Sequence, residues 1–312
     1  MSESAPGAVL WTPPRERVEA SHLWRFARQV ESRTGRRFPD YASLHRWSVE
    51  DLAGFWRAVW DFAGVVHGGE VREVLADPRM PGARWFGGVE LSYAENLLRH
   101  RGSRPAIIGE CEDEGLRRTL SFDELSREVA RARAGLARLG VKAGDRVAAF
   151  TPSLPEAVVA MLAASSLGAI WSSASPDFGL QGVLDRFGQI EPRVLIAAGE
   201  SLYAGKRHPL AERVRALVER ITSIQATVVV SPPGEPARPL AGLASQVSWD
   251  DLLAGSAPGA PSAPAFDRFP FDHPLSILYT SGTTGKPKCI VHSAGGALLK
   301  HLEEHLLQVD LK

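Results

Sequence analysis

The feature that most constrains this 312-residue chain is a rhythm starting near residue 105, where short apolar runs alternate with amphipathic stretches. Ser121 and Glu124 have the spacing of a capping box. Leu125, Val129, Ala132, Leu136 and Leu139 follow at helical spacing until Gly140 stops the helix. Residues 145–150 read as a strand. Pro155 opens a helix through Leu167 that Gly168 ends, and Ala169, Ile170 and Trp171 read as a buried strand. Residues 179–190 and 208–221 read as helices, and 193–198 and 226–230 as strands. Strands separated by helices need crossover connections, so the pattern predicts an α/β fold with a mainly parallel, helix-covered sheet.

The flanks differ from this middle. Six of the eight tryptophans (Trp11, Trp24, Trp47, Trp56, Trp60 and Trp85) lie in the first 90 residues. That opening third reads as helical. Residues 15–33 carry Val18, His22, Phe26 and Val30 at spacings of four. Ser48 is placed to cap a helix showing Leu52, Phe55, Trp56 and Val59 on one face. The stripe is read as a core or a docking face, not as a cofactor box. The expected division is a helical cap over residues 1–100 and an α/β domain over 101–312. Within the latter, residues 231–270 hold eight of the 22 prolines and read as a surface excursion with one helical turn near Trp249–Leu253.

Charge and cysteine usage remove several function classes. Thirty-six basic residues balance 36 acidic ones, so bulk charge gives no support for a nucleic-acid or anionic-membrane surface. The longest apolar runs are far short of the ~20 residues that span a bilayer. The N-terminus lacks a basic region followed by an apolar core, so no secretory signal is expected. Cys111 and Cys289 are far apart in no metal-like spacing, which fits a reducing cytoplasm and argues against a disulfide scaffold or a zinc site.

The segment from Leu275 to His292 carries the chemistry. An apolar run ends at Tyr279. Thr280, Ser281, Gly282, Thr283, Thr284, Gly285, Lys286, Pro287 and Lys288 follow, and then a second apolar run. Four hydroxyls, two glycines and two lysines share one turn. Glycines let backbone N–H groups approach an anion closely, and lysines add point charges. The pattern is not a Walker A loop, because Pro287 stands five residues after Gly282, and it is not G-x-G-x-x-G. From these residues alone, a phosphate-binding loop and a polar hairpin turn both remain open, although hairpin turns usually take two to five residues.

The string Thr280–Lys288 resembles the phosphate-binding signature of the adenylate-forming superfamily. Further stretches resemble the acetoacetate–CoA ligase family within it: Tyr41–Glu50, Phe55-Trp56, Trp85-Phe86, Tyr93–Leu98, Gly168–Gly179, Val183–Pro192, Phe271–Leu275 and Ile290–Gly296. The likeness covers nearly the whole chain, weakening at residues 1–10 and in the proline-rich excursion. It implies the N-terminal portion of an AMP-forming acid–thiol ligase, with ATP, Mg2+ and CoA as substrates or cofactors and acetoacetate as the acid. It implies that Thr280, Ser281, Gly282, Thr283, Thr284, Gly285 and Lys288 wrap the ATP phosphates, with Lys286 at a variable position of the signature. Cys289 stands where the superfamily often has Gly and is read as tolerated, not as a nucleophile.

Other assignments rest on the same likeness. Tyr203–Lys206 resembles a stretch near CoA in acetyl-CoA synthetase relatives, so Gly205 and Lys206 are candidate CoA contacts, with a solvated loop lysine as the alternative. Trp171, Ser172, Ser173, Asp177 and Phe178 follow a strand end where ligands sit in α/β sheets, and are read first as a buried aromatic and a turn. His273 and His292 are read as structural, since an ionised carboxylate needs no general base. No Tyr-Gly-x-Thr-Glu motif, ribose-binding acid or C-terminal catalytic lysine follows in the sequence. No catalytic residue or resident metal site is therefore expected within it, and the chain is expected to be either a fragment of the ligase or an N-terminal half completed by a second polypeptide, with a fragment of another short-chain acyl-CoA synthetase or a non-catalytic residual nucleotide-binding module as the alternatives.

Overall fold

The computed structural model describes residues 11–112, 117–232, 238–254, 264–280 and 285–312. The capping box forms as read. Ser121 Oγ accepts from the Glu124 amide at 3.2 Å and Glu124 Oε2 accepts from the Ser121 amide at 2.8 Å, satisfying two of the helix's orphan donors. The helix it starts, Phe122–Arg138, buries Leu125, Val129, Ala132 and Leu136.

The described elements are, in order, α1 Arg15–Glu19, α2 His22–Thr34, α3 Tyr41–Glu50, α4 Leu52–Ala63, β1 Gly68–Asp77, β2 Arg84–Leu91, α5 Tyr93–Leu97, β3 Pro105–Glu110, β4 Arg117–Ser121 and α6 Phe122–Arg138. There follow β5 Arg146–Phe150, α7 Pro155–Ser166, β6 Ile170–Ala174, α8 Leu180–Ile190, β7 Val194–Ala198, β8 Glu200–Tyr203, β9 Lys206–Pro209, α9 Ala211–Arg220 and β10 Ala226–Val230. The chain continues through β11 Gln246–Ser248, α10 Trp249–Ala254, β12 Phe269–Pro270, β13 Pro274–Tyr279, β14 Cys289–Ser293 and α11 Ala294–Glu303, then a π-helical turn Glu304–Gln308.

Two compact units divide the chain. One comprises residues up to Val65, Glu73–Phe86 and Leu298–Lys312; the other comprises Val66–Arg72 and Gly87–Ala297. In the first, Phe26 lies edge-on to Phe55 and Phe62, with centroids at 5.9 and 5.5 Å, and Trp60 stacks on Phe86 at 4.4 Å. Trp47 and Trp60 are buried, whereas Trp11 is exposed. Such aromatic pairs add about 0.5–1.5 kcal/mol each beyond the area they bury.

The second unit is built on a seven-stranded sheet in the order β11-β10-β7-β5-β6-β13-β14. The pairs β11–β10, β10–β7, β7–β5, β5–β6 and β6–β13 are parallel; β14 returns antiparallel to β13. All five residues of β7 and of β10 are buried. Neither strand alternates, because helices cover both faces, and the apolar runs of the sequence reflect this. Phe150, Phe187, Leu195 and Ile196 are fully buried, each worth roughly 1.5–3 kcal/mol in transfer free energy. A separate three-stranded sheet runs β1, β2, β12, with Phe269 opposite Leu91.

Gly168 shows why a glycine stop is needed after α7. Its φ is +71°, and an added Cβ would stand 2.3 Å from the Phe269 ring. Both the left-handed backbone and the close approach demand glycine.

The structure corrects several expectations. The stretch 15–33 is not one helix: α1 ends at Glu19, and Ser21 caps α2 by accepting from the Trp24 amide. Ser48 does not cap α4; it lies inside α3, and Asp51 is the cap, accepting from the Gly54 amide at 2.9 Å. The opening third is not wholly helical, since β1 and most of β2 fall within its first 90 residues. The helix read from 208 starts at Ala211, and residues 200–209 form the β8–β9 hairpin instead. The proline-rich excursion contributes β11 to the sheet edge, and α10 buries Trp249, Leu252 and Leu253.

Candidate functional site

The strand order places the site. From β5 the chain crosses to β6 on one side; from β6 it crosses back past β5 to β7 on the other. At such a reversal the carboxyl ends of the strands leave a crevice that open α/β sheets use for ligands. A cavity of ≈ 570 Å³ opens at this edge, lined among others by Ile107, Thr151, Val158, Met161, Trp171 and Ser173. Trp171 and Ser173 point to one face of β6 and Ser172 to the other, as period-two alternation requires. Trp171 thus serves both readings: it is buried, and it forms a wall of the cavity.

β13 lies parallel beside β6 and ends at the same edge, so the turn into β14 starts from that end of the sheet. The Thr280 amide donates to the Lys288 carbonyl at 3.2 Å, closing the turn. Ser281, Gly282, Thr283 and Thr284 lie outside the described residues. Gly285 has φ +109°, a backbone only glycine adopts readily. Lys286 and Lys288 are exposed. Gln189 of α8 donates from Nε2 to the Pro287 carbonyl at 2.9 Å, holding the exit of the turn. Thr280, Gly285, Lys286 and Lys288 therefore belong to one turn at the carboxyl edge of the sheet, beside β6.

Beneath the turn, Ser172 Oγ donates to the Ile277 carbonyl at 2.9 Å and lies 3.2 Å from the Tyr279 hydroxyl. Burial pushes the Tyr279 phenol up to about 12, against a weaker opposing pull from its bond to Ser172. It is thus neutral across the physiological range. Arg186 of α8 stands over two rings, 4.0 Å from the Phe178 centroid and 5.7 Å from that of Tyr279. Arg213 of α9 donates to the Pro176 and Phe178 carbonyls, fixing the loop after β6. Asp177 of that loop accepts from Ser175 Oγ at 2.8 Å.

Gly205 and Lys206 are not at this turn. They belong to the two-stranded β8–β9 ribbon, whose Ala204 and Gly205 have φ of +51° and +68°. Two successive positive φ values make a type I′ turn, the form that matches the twist of a tight hairpin. All four residues of β9 are exposed. The Gly205 amide donates to the Glu112 carboxylate at 2.9 Å.

His273 Nε2 lies 2.8 Å from the Gly168 carbonyl, and its ring stacks on Phe269 at 4.3 Å. Those contacts give it a structural task. His292 is exposed on β14 opposite Ser276. Cys289 is exposed opposite Tyr279.

Sequence reading missed Arg186, Gln189 and Arg213, because their tasks depend on which helices stand beside the turn. It also missed the buried cluster in which Arg118 bonds both Glu128 and Glu156. Burial pushes the Glu128 carboxyl up in spite of its arginine partner.

Comparison with known proteins gives the family. The pattern of the AMP-binding enzyme family matches residues 94–309, and that of the acetyl-coenzyme A synthetase N-terminus matches residues 41–97. The chain is 45% identical to the acetoacetyl-coenzyme A synthetase of Rhizobium meliloti over 97% of its own length and 46% of the relative. It is 36% identical to a malonamoyl-CoA synthetase of Penicillium aethiopicum, covering 100% of this chain and 44% of that protein. The solved acetoacetyl-CoA synthetase of Streptomyces lividans superposes with a TM-score of 0.88 at 40% identity, covering 97% of this chain and 46% of that one. The chain thus spans about half the length of the curated relatives it matches.

Proposed function

The chain belongs to the AMP-binding enzyme family, and from that premise we propose that it forms the N-terminal portion of an ATP-dependent ligase joining acetoacetate to CoA. The observation that carries this reading is the turn between β13 and β14, which brings glycine, hydroxyl and lysine groups to the carboxyl edge of the parallel sheet, beside β6. In the proposed reaction a carboxylate oxygen of acetoacetate attacks the α-phosphorus of ATP. The bond to pyrophosphate breaks and an acyl-adenylate forms. The CoA thiolate then attacks the acyl carbon and AMP leaves.

This chain's part is to bind and to neutralise. Thr280, Ser281, Gly282, Thr283, Thr284 and Gly285 offer backbone and hydroxyl donors to the phosphates, and Lys288, with Lys286 beside it, supplies charge. Magnesium would enter with the nucleotide and offset phosphate charge. Among the described residues no group of three or more His, Cys, Asp or Glu is placed to hold it. Gly205 and Lys206 are proposed to meet a CoA phosphate. The N-terminal helices over residues 1–100 are proposed as a cap and residues 101–312 as the adenylation part. A second polypeptide is proposed to supply the half that the relatives carry beyond this match. Among the described residues no helix is long and apolar enough to cross a membrane, and a cytoplasmic setting is proposed on the sparse cysteine content.

Acetoacetate-dependent ATP–pyrophosphate exchange tests the reading. It is measured on the 312-residue chain, alone and with the C-terminal half of the Streptomyces lividans relative. Exchange with acetoacetate, and much less with acetate, supports it. Absence of exchange in both preparations overturns it. The likeness to a malonamoyl-CoA synthetase favours malonamate as a second acid to assay, and faster exchange with it would move the acid assignment while leaving the ligase reading in place.

A further inference from the structure

The site described above contains a cation that no signature assigns. Arg186 sits on α8 one turn before Gln189, the residue that holds the Pro287 carbonyl. Residues three apart share a helix face. Its guanidinium lies 4.0 Å from the Phe178 centroid and 5.7 Å from that of Tyr279, the residue that leads into Thr280. Arg186 therefore stands beside the entry of the turn and Gln189 beside its exit.

The guanidinium is held by a carbonyl and two rings. Its Nη1 donates to the Gly182 carbonyl at 2.6 Å. A guanidinium carries five N–H donors, and among the described residues its contacts are that carbonyl and the Phe178 and Tyr279 rings. The nearby acids are engaged elsewhere: Asp177 accepts from Ser175, and Asp185 from Gln181 at 2.8 Å. Arg146 and Arg213 of the same unit are likewise held by main-chain carbonyls. Arg186 is oriented by two aromatic faces and a helix carbonyl, with planar donors still available. That is the form suited to bidentate recognition of phosphate oxygens.

We propose that Arg186 is a phosphate-binding residue of this edge, whose stacked guanidinium offers a fork of N–H donors to the polyphosphate of the nucleotide held at the β13–β14 turn. The proposal rests on the ligase reading and adds a residue to it. The lysines of the turn are flexible point charges; Arg186 adds a fixed, directional one. Phe178 and Tyr279 act as positioning residues, restricting the guanidinium before the nucleotide arrives and lowering the ordering cost of binding.

The test titrates ATP, inorganic tripolyphosphate and AMP into the 312-residue chain, with thermal melting recorded for each variant. Arg186→Gln is expected to weaken ATP and tripolyphosphate by about tenfold, the effect of losing one charge-assisted contact, and to leave AMP unchanged. Arg186→Lys keeps the charge without the fork and is expected to recover part of the loss. Phe178→Leu is expected to weaken ATP by a smaller factor with AMP unchanged. Lys288→Ala reports on the underlying reading.

If Lys288→Ala weakens ATP while both Arg186 variants bind like wild type, the Arg186 assignment is overturned and the ligase reading stands. Equal loss of ATP, tripolyphosphate and AMP in Arg186→Lys, together with a lower melting temperature, makes Arg186 a structural staple and also overturns the assignment. If wild type takes up neither ATP nor tripolyphosphate, the phosphate site and the Arg186 assignment fall together.

Discussion

Two hairpins in this chain carry a Gly-Lys pair at their turn, and they are supported differently. Ala204-Gly205-Lys206 closes a two-stranded ribbon, with all of β9 exposed. Gly285-Lys286 follows a strand paired to the central sheet, and its exit is held by Gln189 from a neighbouring helix. The first turn needs only its own backbone geometry: two residues with positive φ and a short ladder. The second is longer than a hairpin requires and is supported from β6 and α8. The same residue types become a candidate phosphate cradle only where other elements fix them, because an anion site needs donors that are already oriented when the anion arrives.

The contrast breaks most sharply at the lysines. Lys288→Ala is expected to slow acetoacetate-dependent ATP–pyrophosphate exchange by about 10²–10³-fold, the usual effect of one well-placed donor in such a site. Lys206→Ala is expected to leave exchange unchanged and to raise only the KM for CoA. Equal effects of the two variants on exchange would erase the distinction between the hairpins.

Gly168→Ala probes the scaffold behind the supported turn. Its positive φ and the Phe269 ring 2.3 Å from the new Cβ combine strain with overpacking, for an expected loss of about 3 kcal/mol. Chemical denaturation measures it. Gly205→Ala faces the strain without the clash, since nothing lies within 4 Å of its Cβ position. Its expected cost is about 1–2 kcal/mol, confined to the ribbon and visible as faster amide exchange in residues 200–209 alone.

Tyr279→Phe gives the smallest effect, about 1 kcal/mol at neutral pH from the lost contact with Ser172. The phenol is pushed up to about 12 in the folded chain and ionises near 10 when unfolded. Its contribution is complete below pH 10 and is lost as pH rises through 12, because the unfolded chain then ionises first. The Phe variant should show a shallower alkaline decline in stability. The decline is reduced and not abolished, since burial also raises Tyr93.

Much of the second unit was legible in the sequence. The Ser121 capping box, the stop at Gly140, the helix opened by Pro155 and the strand at 226–230 stand where the residues put them. The first unit was read less well. Ser48 and Asp51 are both acceptable caps three residues apart, and local chemistry does not choose between them. Asp51 is the cap in the fold, where it also accepts from the Trp47 indole and pairs with Arg36. The β8–β9 ribbon escaped notice because Ala204 is an unusual residue for a left-handed turn position.

What the sequence determined by itself was whatever a few neighbouring residues settle among themselves: helix caps and stops, buried strands, and the composition of the turn from Thr280 to Lys288. Those interactions close within one or two turns of chain, so spacing and residue type suffice. Tertiary structure alone decided which strand stands next to which, that β13 lies beside β6, and that Arg186 and Gln189 of α8 flank the turn. These partners are 93 to 105 residues apart in the chain, from Arg186 and Tyr279 to Trp171 and Ser276. They meet because burying both faces of a parallel sheet leaves few arrangements of its helices, and no local pattern encodes that meeting.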